Sequence, residues 1–247
     1  MKHVGSLLDS TYLKTAKQAS LSEFDNQQIM NELAQEAIEF NFKLVMIRPE
    51  YVLKTRVFLD ERDSNVLVGT VIDFPFGEAS LEAKLSEAKQ AIADGADELD
   101  FVVNYQAFQK GDIEGVRTQI NACTALCLKN GKVAKWIIEI AALSDEEIAS
   151  LTDLIREEVE QSFPNEVQQV FVKSSTGFYQ RVDGGPLGAT LSGVKILKEN
   201  AGQLPVKAAG GVRNIEDVKR MLDLGVSRIG TSSAKQIILG EQTTKDY

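Results

Sequence analysis

The sequence predicts a single (β/α)8 TIM barrel of the α/β class, and three observations carry that prediction. The chain has 247 residues, close to the roughly 250 that such a barrel needs. Short apolar runs alternate with longer amphipathic stretches from end to end, a pattern typical of a parallel sheet with helices outside. Eight units of about 30 residues follow one another without a linker. We therefore interpret residues 1–247 as one barrel domain with a flexible C-terminal tail at about 241–247.

Eight runs are predicted as strands because each is short, apolar and followed by turn or polar residues. In chain order they cover residues 6–11, 42–48, 66–74, 98–105, 133–141, 168–175, 204–211 and 226–233. Between strands, residues 78–95 and 144–161 have helical periodicity. Ser144 and Glu147 predict a capping box at the start of the second of these helices.

Composition excludes several classes of function. The net charge of −9 argues against non-specific binding to nucleic acid or to a membrane surface, because both are anionic. The single histidine, His3, excludes histidine metal sites and Ser-His triads. Cys123 and Cys127 are four residues apart and are interpreted as core residues rather than a metal or redox site. No GxGxxG motif opens a helix, so no dinucleotide cofactor is expected.

The chain begins without an apolar signal region and contains no apolar run of 18 residues. A signal peptide needs the first feature and a membrane-spanning helix needs the second. We therefore expect a soluble, cytoplasmic protein.

The predicted strands separate charged side chains from apolar ones. In the fourth strand, Leu99 and Phe101 share one face and Asp100 lies on the other, because successive strand residues point to opposite sides. The apolar face meets the helices, so the charged face is predicted to point into the barrel. These inward charges are Asp9, Asp100, Lys135, Glu139, Lys173 and Lys207. They fit either compensated structural ion pairs or an active site at the C-terminal ends of the strands, which we call the barrel mouth. Their clustering near strand ends favours the active site.

Glycines and hydroxyl-bearing residues near three strand ends predict a phosphate site. They are Thr176, Gly177, Gly210, Gly211, Gly230, Ser232 and Ser233. The glycine pair after the seventh strand allows backbone N–H groups to line a concave anion site. The Gly-x-Ser-Ser run is predicted to open the last helix, whose N-terminus adds N–H donors and a positive dipole end. Barrels often hold phosphate after strands 7 and 8, so the predicted substrate is small and phosphorylated.

Lys173 ends the run "VFVK", where a hydrophobic residue is expected. A buried lysine beside another cation loses its proton near neutral pH and attacks a carbonyl. At a pKa of about 10.4 roughly one lysine in 2,500 is neutral at pH 7, whereas a pKa of about 7.5 makes about a quarter neutral. Lys207, on the adjacent strand, is placed to cause that shift. Lys173 is therefore predicted to form a Schiff base.

Seven stretches together resemble the deoxyribose-phosphate aldolase family over nearly the whole chain. They are "LLDSTYL", "VIDFPFG", "EAKQAIADGADELDFVVNY", "KWIIEIAAL", "FVKSSTGF", "VKAAGGVRN" and "IGTSSA". The resemblance implies reversible cleavage of 2-deoxy-D-ribose 5-phosphate into D-glyceraldehyde 3-phosphate and acetaldehyde, without a metal or other cofactor. It implies that Lys173 is the Schiff-base lysine, Lys207 lowers its pKa, and Asp100 is an acid/base group acting through water.

The same resemblance assigns further residues. Lys135, Asp9 and Thr11 match positions that orient the substrate hydroxyls and the catalytic network. Tyr247 matches a C-terminal tyrosine that shuttles the proton at the methyl carbon of acetaldehyde. The seven residues after Gly240 extend to at most about 23 Å, enough to return to the barrel mouth. Family members commonly form dimers, so a homodimer is a further expectation.

Two features, one residue and one loop, depart from the family pattern. Met46, in "LVMIRP", stands where many members carry a cysteine near the substrate, which should change the response to acetaldehyde-derived inactivation rather than the chemistry. The loop at 178–190 is longer than the short Gly-rich loop of the family. Because it borders the predicted phosphate region, it bears on substrate preference.

Two other functions fit parts of the pattern. A different phosphate-binding barrel enzyme, such as an isomerase or synthase that transfers protons with a carboxylate and a lysine, predicts no covalent imine. A non-catalytic sugar-phosphate sensor would retain the anion loops but has little reason to keep Lys173, Lys207 and Asp100 together. Borohydride reduction with acetaldehyde, followed by peptide mapping, separates all three functions.

Overall fold

A computed structural model describes residues 2–180 and 188–241, and its sheet is the predicted closed barrel. Each strand pairs in parallel with the next, and the last strand closes the ring on the first. The strands are β1 (Leu8–Thr11), β2 (Leu44–Ile47), β3 (Leu67–Ile72), β4 (Glu98–Val102), β5 (Val133–Ile137), β6 (Val170–Lys173), β7 (Val206–Ala209) and β8 (Arg228–Thr231). All predicted strands are confirmed, each shorter than the run that indicated it.

Helices connect the strands and pack around the barrel. They are α1 (Lys2–Gly5), α2 (Ala16–Ala19), α3 (Glu23–Phe40), α4 (Val52–Asp60), α5 (Leu81–Ala93), α6 (Tyr105–Gln109), α7 (Ile113–Lys129), α8 (Asp145–Ser162), α9 (Leu191–Asn200), α10 (Ile215–Asp223) and α11 (Ala234–Leu239). Short 3₁₀ turns lie at Pro49–Tyr51, Ile140–Ala142 and Val167–Gln169. The predicted capping box opens α8, where Ser144 and Glu147 satisfy each other's backbone N–H groups.

The outward faces of the strands form the main apolar core with the helices. Leu99, Phe101, Trp136 and Ile138 are all buried in it. The rings of Phe101 and Trp136 stack with their centroids 5.0 Å apart. The indole N–H of Trp136 donates to the Thr124 hydroxyl of α7 at 3.0 Å, so its polar atom is satisfied within the core. This is the face that the alternation predicted to meet the helices.

Two strand ends differ from the prediction. β4 ends at Val102, and Asn104, which lies within the predicted strand at 98–105, caps α6 by accepting the N–H of Ala107 at 2.9 Å. Asn is a preferred N-cap residue, so it leaves the pleat to satisfy a helix terminus. β5 ends at Ile137, and Glu139 lies beyond it with φ of 57°. Strand alternation does not determine the direction of a side chain outside the strand.

The two cysteines are buried thiols on α7. Burial raises the pKa of Cys123 to about 12 and raises that of Cys127 as well, which keeps both unreactive near neutral pH. Within residues 2–180 and 188–241, no group of three His, Cys, Asp or Glu is arranged to hold a metal ion. In the same part of the chain, no helix has the length and apolar character needed to span a bilayer.

Candidate active site

The register of the barrel brings the predicted charged residues to similar heights. Asp100 on β4 lies opposite Lys135 on β5, and Lys173 on β6 lies opposite Lys207 on β7. Neighbouring parallel strands at the same register direct equivalent side chains to the same side. The four side chains therefore converge inside the barrel, as the sequence predicted.

Asp100 is the centre of this cluster. Its Oδ1 accepts a hydrogen bond from Lys135 at 2.6 Å. Its Oδ2 accepts from Lys173 at 2.8 Å and from Lys207 at 2.9 Å. All four side chains are almost fully buried, with at most 3% of any side chain exposed. One carboxylate thus binds three ammonium groups away from water.

A second set of ion pairs surrounds the first. Asp9 pairs through Oδ2 with Lys207 at 2.6 Å and through Oδ1 with Arg228 at 2.5 Å. Glu98 pairs with Lys135 at 2.7 Å and with Arg228 at 3.0 Å. These contacts give Lys207 and Lys135 a second carboxylate each. They also fix Asp9, which is predicted to orient substrate, between two cations.

The count of charges distinguishes Lys173 from its neighbours. Among the described residues the ion-paired cluster contains four cations and three carboxylates. These are Lys135, Lys173, Lys207 and Arg228 against Asp9, Glu98 and Asp100. Lys173 has one ion-pair partner in that part of the chain, Asp100, and shares the same oxygen with Lys207. Lys173 is therefore the least compensated cation of the cluster.

The pKa values follow this imbalance. The pKa of Lys173 is lowered to about 8, chiefly by burial, with the positive charges of Lys207 and Lys135 acting in the same direction and Asp100 opposing them. About a tenth of an amine with that pKa is neutral at pH 7. Burial acts on Lys135 too, but the charges of Asp100 and Glu98 outweigh it and raise its pKa above the ordinary value. Burial is the largest cause of the shift, and the charge of Lys207, which the sequence predicted to lower this pKa, acts in the same direction.

Asp100 is held in its ionised form. Burial alone would raise its pKa, but the charges of Lys135, Lys173 and Lys207 outweigh burial and hold the pKa well below the ordinary value. It contacts Lys173 directly, and its action through water stays a prediction. A carboxylate in this position is suited to accept a proton and to stabilise positive charge on the lysine.

The residues expected to orient substrate hydroxyls are involved in contacts within the protein. The hydroxyl of Thr11 donates to the carbonyl of Asp9 at 2.9 Å, within the same strand. Burial opposes ionisation of Asp9, yet Lys207 and Arg228 lower its pKa to about 2. Lys135 is fully buried between Glu98 and Asp100. These contacts support roles in the charge network, and a direct contact with substrate stays a prediction for all three residues.

Four glycines lie at the mouth above β6 and β7. Gly177 and Gly210 have φ of 80° and 87°, a backbone region that other L-residues rarely adopt. A Cβ on Gly210 would lie 3.7 Å from the Cα of Gly177 and 2.9 Å from that of Gly188. Gly211, with φ of 79°, follows at once, and a Cβ added to it would have no neighbour within 4 Å. The predicted glycine turn after β7 is confirmed, and Gly177 lies beside it.

The Gly-x-Ser-Ser run at residues 230–233 differs from the prediction in one respect. Gly230 lies inside β8 and does not open the last helix. A Cβ there would lie 3.1 Å from Cε of Lys207 and 3.2 Å from Cβ of Ala209, so its lack of a side chain leaves room for the lysine. Ser233 is buried and immediately precedes α11, but its N–H donates to the Thr231 hydroxyl at 3.0 Å. Ser232 is exposed beside it.

Sequence reasoning omitted three residues from the predicted site. Arg228 pairs with Asp9 and Glu98, and its alternation with Gly230 on β8 was the signal that could have found it. Glu139 was recognised as inward-facing but given no role; it accepts the N–H of Thr176 at 3.0 Å. Gly188 packs on Gly210, and nothing in its local sequence indicates that contact.

Two predictions lie wholly or partly outside the described residues. Tyr247 and the tail after residue 241 are not described, so the proposed proton shuttle has no structural counterpart to compare. Of the loop at 178–190, the structure describes both ends. Phe178, at its start, contacts the ring of Phe74 edge-on with the centroids 5.1 Å apart.

Comparisons with known proteins agree with this geometry. Residues 10–239 match the model of a family described as DeoC/LacD family aldolase. A deoxyribose-phosphate aldolase of Staphylococcus carnosus is 40% identical over 241 residues, covering 97% of this chain and 97% of the relative. A crystal structure from Coccidioides immitis, provisionally assigned as a deoxyribose-phosphate aldolase, is 30% identical with a TM-score of 0.79, covering 96% of this chain and 85% of that chain. The tetrameric deoxyribose phosphate aldolase from Aeropyrum pernix is 27% identical with a TM-score of 0.78, covering 96% and 90%.

Proposed function

We propose, from the premise that the chain belongs to the DeoC/LacD aldolase family, that it is a metal-independent lyase acting on deoxyribose phosphate. The reaction is reversible cleavage of 2-deoxy-D-ribose 5-phosphate into D-glyceraldehyde 3-phosphate and acetaldehyde. The observation that carries the proposal is Lys173, a buried amine with a pKa of about 8 beside Asp100. Such a group is a nucleophile towards an aldehyde near neutral pH.

The proposed chemistry begins at the open-chain aldehyde of the sugar. The neutral amine of Lys173 attacks C1, and loss of water from the carbinolamine gives an iminium. Cleavage of the C2–C3 bond then leaves its electron pair on C2 as an enamine, while the C3 hydroxyl loses its proton and becomes the aldehyde of glyceraldehyde 3-phosphate. Protonation of C2 and addition of water to the iminium release acetaldehyde and restore the amine.

Each charged neighbour has a distinct part in this proposal. Asp100 accepts protons in the carbinolamine steps and stabilises the cationic imine, which its two contacts through Oδ2 support. Lys207 contributes positive charge that helps keep Lys173 neutral. Lys135, Asp9 and Thr11 orient the network and the substrate hydroxyls. Tyr247, from the undescribed tail, protonates the enamine carbon.

The phosphate is proposed to bind at the mouth above β6, β7 and β8. Backbone N–H groups of Gly177, Gly210 and Gly211 supply the donors, Ser232 and Ser233 supply hydroxyls, and Thr176 fixes the backbone beside Gly177. The positive φ angles of the three glycines support the proposal, because successive N–H groups in such turns form concave anion sites. Gly230 contributes by leaving space for Lys207.

A homodimer in the cytoplasm is the proposed working form. The free, buried thiols of Cys123 and Cys127 support a reducing compartment. Size-exclusion chromatography with light scattering tests the assembly: a mass of two chains is expected. A monomer, or a tetramer like that described for the Aeropyrum pernix relative, would contradict the dimer.

Borohydride trapping tests the function. Incubation with acetaldehyde and borohydride should add one ethyl group, and peptide mapping should place it on Lys173. Lys173→Ala should abolish both trapping and turnover. The matched control is Lys219→Ala, which removes an exposed lysine on α10 paired with Glu216. Turnover without trapping would indicate proton-transfer chemistry of another barrel enzyme, and a modification mapping to Lys135 or Lys207 would contradict the assignment.

A further inference from the structure

Glu139 occupies an unusual place at the barrel mouth. It is 1% exposed and has φ of 57° and ψ of 68°, in the left-handed region that costs a side-chain-bearing residue free energy. The residues on either side are fixed to the end of β6: the N–H of Ile138 donates to the carbonyl of Lys173 at 3.0 Å, and that of Ile140 to Ser174 at 2.9 Å. A side-chain-bearing residue keeps such a strained backbone only where the surrounding structure holds it, and residues of this kind cluster at functional sites.

The carboxylate of Glu139 holds one segment of the mouth. Its Oε2 accepts the Thr176 N–H at 3.0 Å and also accepts the Thr176 hydroxyl hydrogen. The same Thr176 oxygen accepts the N–H of Phe178 at 3.0 Å. Gly177 therefore lies between two residues that are both tied to Glu139, one directly and one through Thr176.

The segment that Glu139 holds, residues 176–178, contacts the glycine turn after β7. A Cβ on Gly210 would lie 3.7 Å from the Cα of Gly177, so these two backbones are close neighbours. Gly177 has no side chain to fix its own position, and glycine has the most backbone freedom of any residue. Loss of the Glu139 contacts would leave this wall of the anion site free to move.

We propose that Glu139 is a positioning residue that holds Thr176 and Gly177 in place for the phosphate, and so sets the preference for phosphorylated sugars. The inference rests on the function proposed above and adds a cause of substrate preference to it. It differs from a direct effect on the Schiff-base lysine, because the ammonium groups of Lys173 and Lys207 donate to Asp100, whereas the Glu139 carboxylate accepts from Thr176. Burial raises the pKa of Glu139, and the Thr176 hydrogen bonds oppose that shift, as expected for a carboxylate anchored on this loop.

The test compares two substrates in Glu139→Gly, a variant that removes the carboxylate and relieves the left-handed backbone. We expect KM for 2-deoxy-D-ribose 5-phosphate to rise about tenfold with kcat within about threefold, while kcat/KM for 2-deoxy-D-ribose stays within about threefold. Glu139→Gln keeps an oxygen that accepts both Thr176 hydrogens, so it should restore KM to within about threefold of wild type. An equal fall in kcat on both substrates, or an unchanged phosphate preference, would overturn the proposal.

Two further measurements keep the outcome unambiguous. Wild-type cleavage and trapping on Lys173 are measured first, so that a failure of the aldolase function is seen separately from a failure of the Glu139 inference. If Glu139→Gly does not fold, Thr176→Val carries the test, because it keeps the shape but removes the hydroxyl shared by Glu139 and Phe178. It should also raise KM for the phosphorylated sugar selectively, and a wild-type KM would overturn the inference.

Discussion

The two sides of the barrel interior are filled by opposite kinds of side chain. Around β2 and β3 the interior contains Leu13, Leu44, Met46 and Val71, all at most 1% exposed. From β4 round to β1 it contains the lysines, the arginine and the carboxylates described above. Both sides share one fold and similar burial, so the fold alone does not require the charges.

The apolar side is packed for stability. A Cβ on Gly69 would lie 2.6 Å from Cε of Met46 and 2.8 Å from Cδ1 of Leu44, which leaves no room for a side chain there. The charged side carries an energetic disadvantage, since each buried ion loses several kcal/mol of hydration that its partners must offset. Strongly shifted pKa values at buried, clustered groups are characteristic of active sites. The comparison therefore separates a structural half of the interior from the half that contains the proposed catalytic residues.

The largest effect is expected from the centre of the charged side. Asp100→Asn keeps the shape but removes the base, and kcat should fall about 10² to 10⁴-fold. The pKa of Lys173 should fall further, because Asp100 now raises it, so the loss cannot come from a protonated lysine. Circular dichroism checks the fold. A loss of kcat below about tenfold in a folded variant would reduce Asp100 to a structural partner of Lys207.

The tail should act on the charged side alone. Deletion of Tyr247 should lower kcat at least about tenfold, because a group that transfers a proton typically contributes about 10² to 10⁴ in rate. Deuterium exchange into the acetaldehyde methyl group should slow, while borohydride trapping on Lys173 persists. Replacing Tyr247 with Phe is the matched control for the phenol. Exchange and turnover at the full-length rate would show that the tail takes no part.

A charge introduced at the mouth should separate the phosphate site from the chemistry. Ser233→Asp places a carboxylate beside the proposed phosphate and should raise KM for 2-deoxy-D-ribose 5-phosphate about tenfold. The reaction of small unphosphorylated aldehydes should change much less, because Lys173 is untouched. Ser233→Asn is the neutral control of nearly equal size. Equal damage to both kinds of substrate would place the phosphate elsewhere.

The smallest effect on activity is expected from the apolar side. Leu44→Ala removes a fully buried side chain at the start of β2, away from the mouth. It should lower the free energy of unfolding by about 2 to 5 kcal/mol through lost packing and a cavity. Urea titration measures that loss, and kcat should remain within about twofold when the variant is assayed well below its melting temperature. A large fall in kcat would mean that the two halves are not separate.

Much of this division could be predicted from the sequence. Strand alternation is a local property, so it identified Asp100, Lys135, Lys173 and Lys207 as inward-facing without any knowledge of their neighbours. The glycines after β7 were identified for the same reason, because a tight turn is specified by adjacent residues. Local signals of this kind were sufficient for the fold and for the centre of the site.

The remaining features depend on contacts between residues distant in sequence. Arg228 and Asp9 are 219 residues apart, and nothing near either one indicates the other. The position of Gly230 within β8, beside Lys207, also required the neighbouring strand. That burial outweighs the charge of Lys207 as a cause of the shifted pKa follows from the whole surrounding structure, whereas the sequence indicated only that both are present.

The amine of Lys173 itself offers the most direct measurement. Lysine labelled with ¹³C at Cε can be followed by NMR during a pH titration, with Lys173→Ala identifying the signal. The account predicts a pKa of about 8. In Lys207→Leu the pKa should rise, because a repelling charge is lost, and the neutral fraction at pH 7 should fall and recover at higher pH. It should stay below the ordinary 10.5, because burial persists. A wild-type value near 10.5 would contradict the claim that this side of the barrel holds a neutral lysine for catalysis.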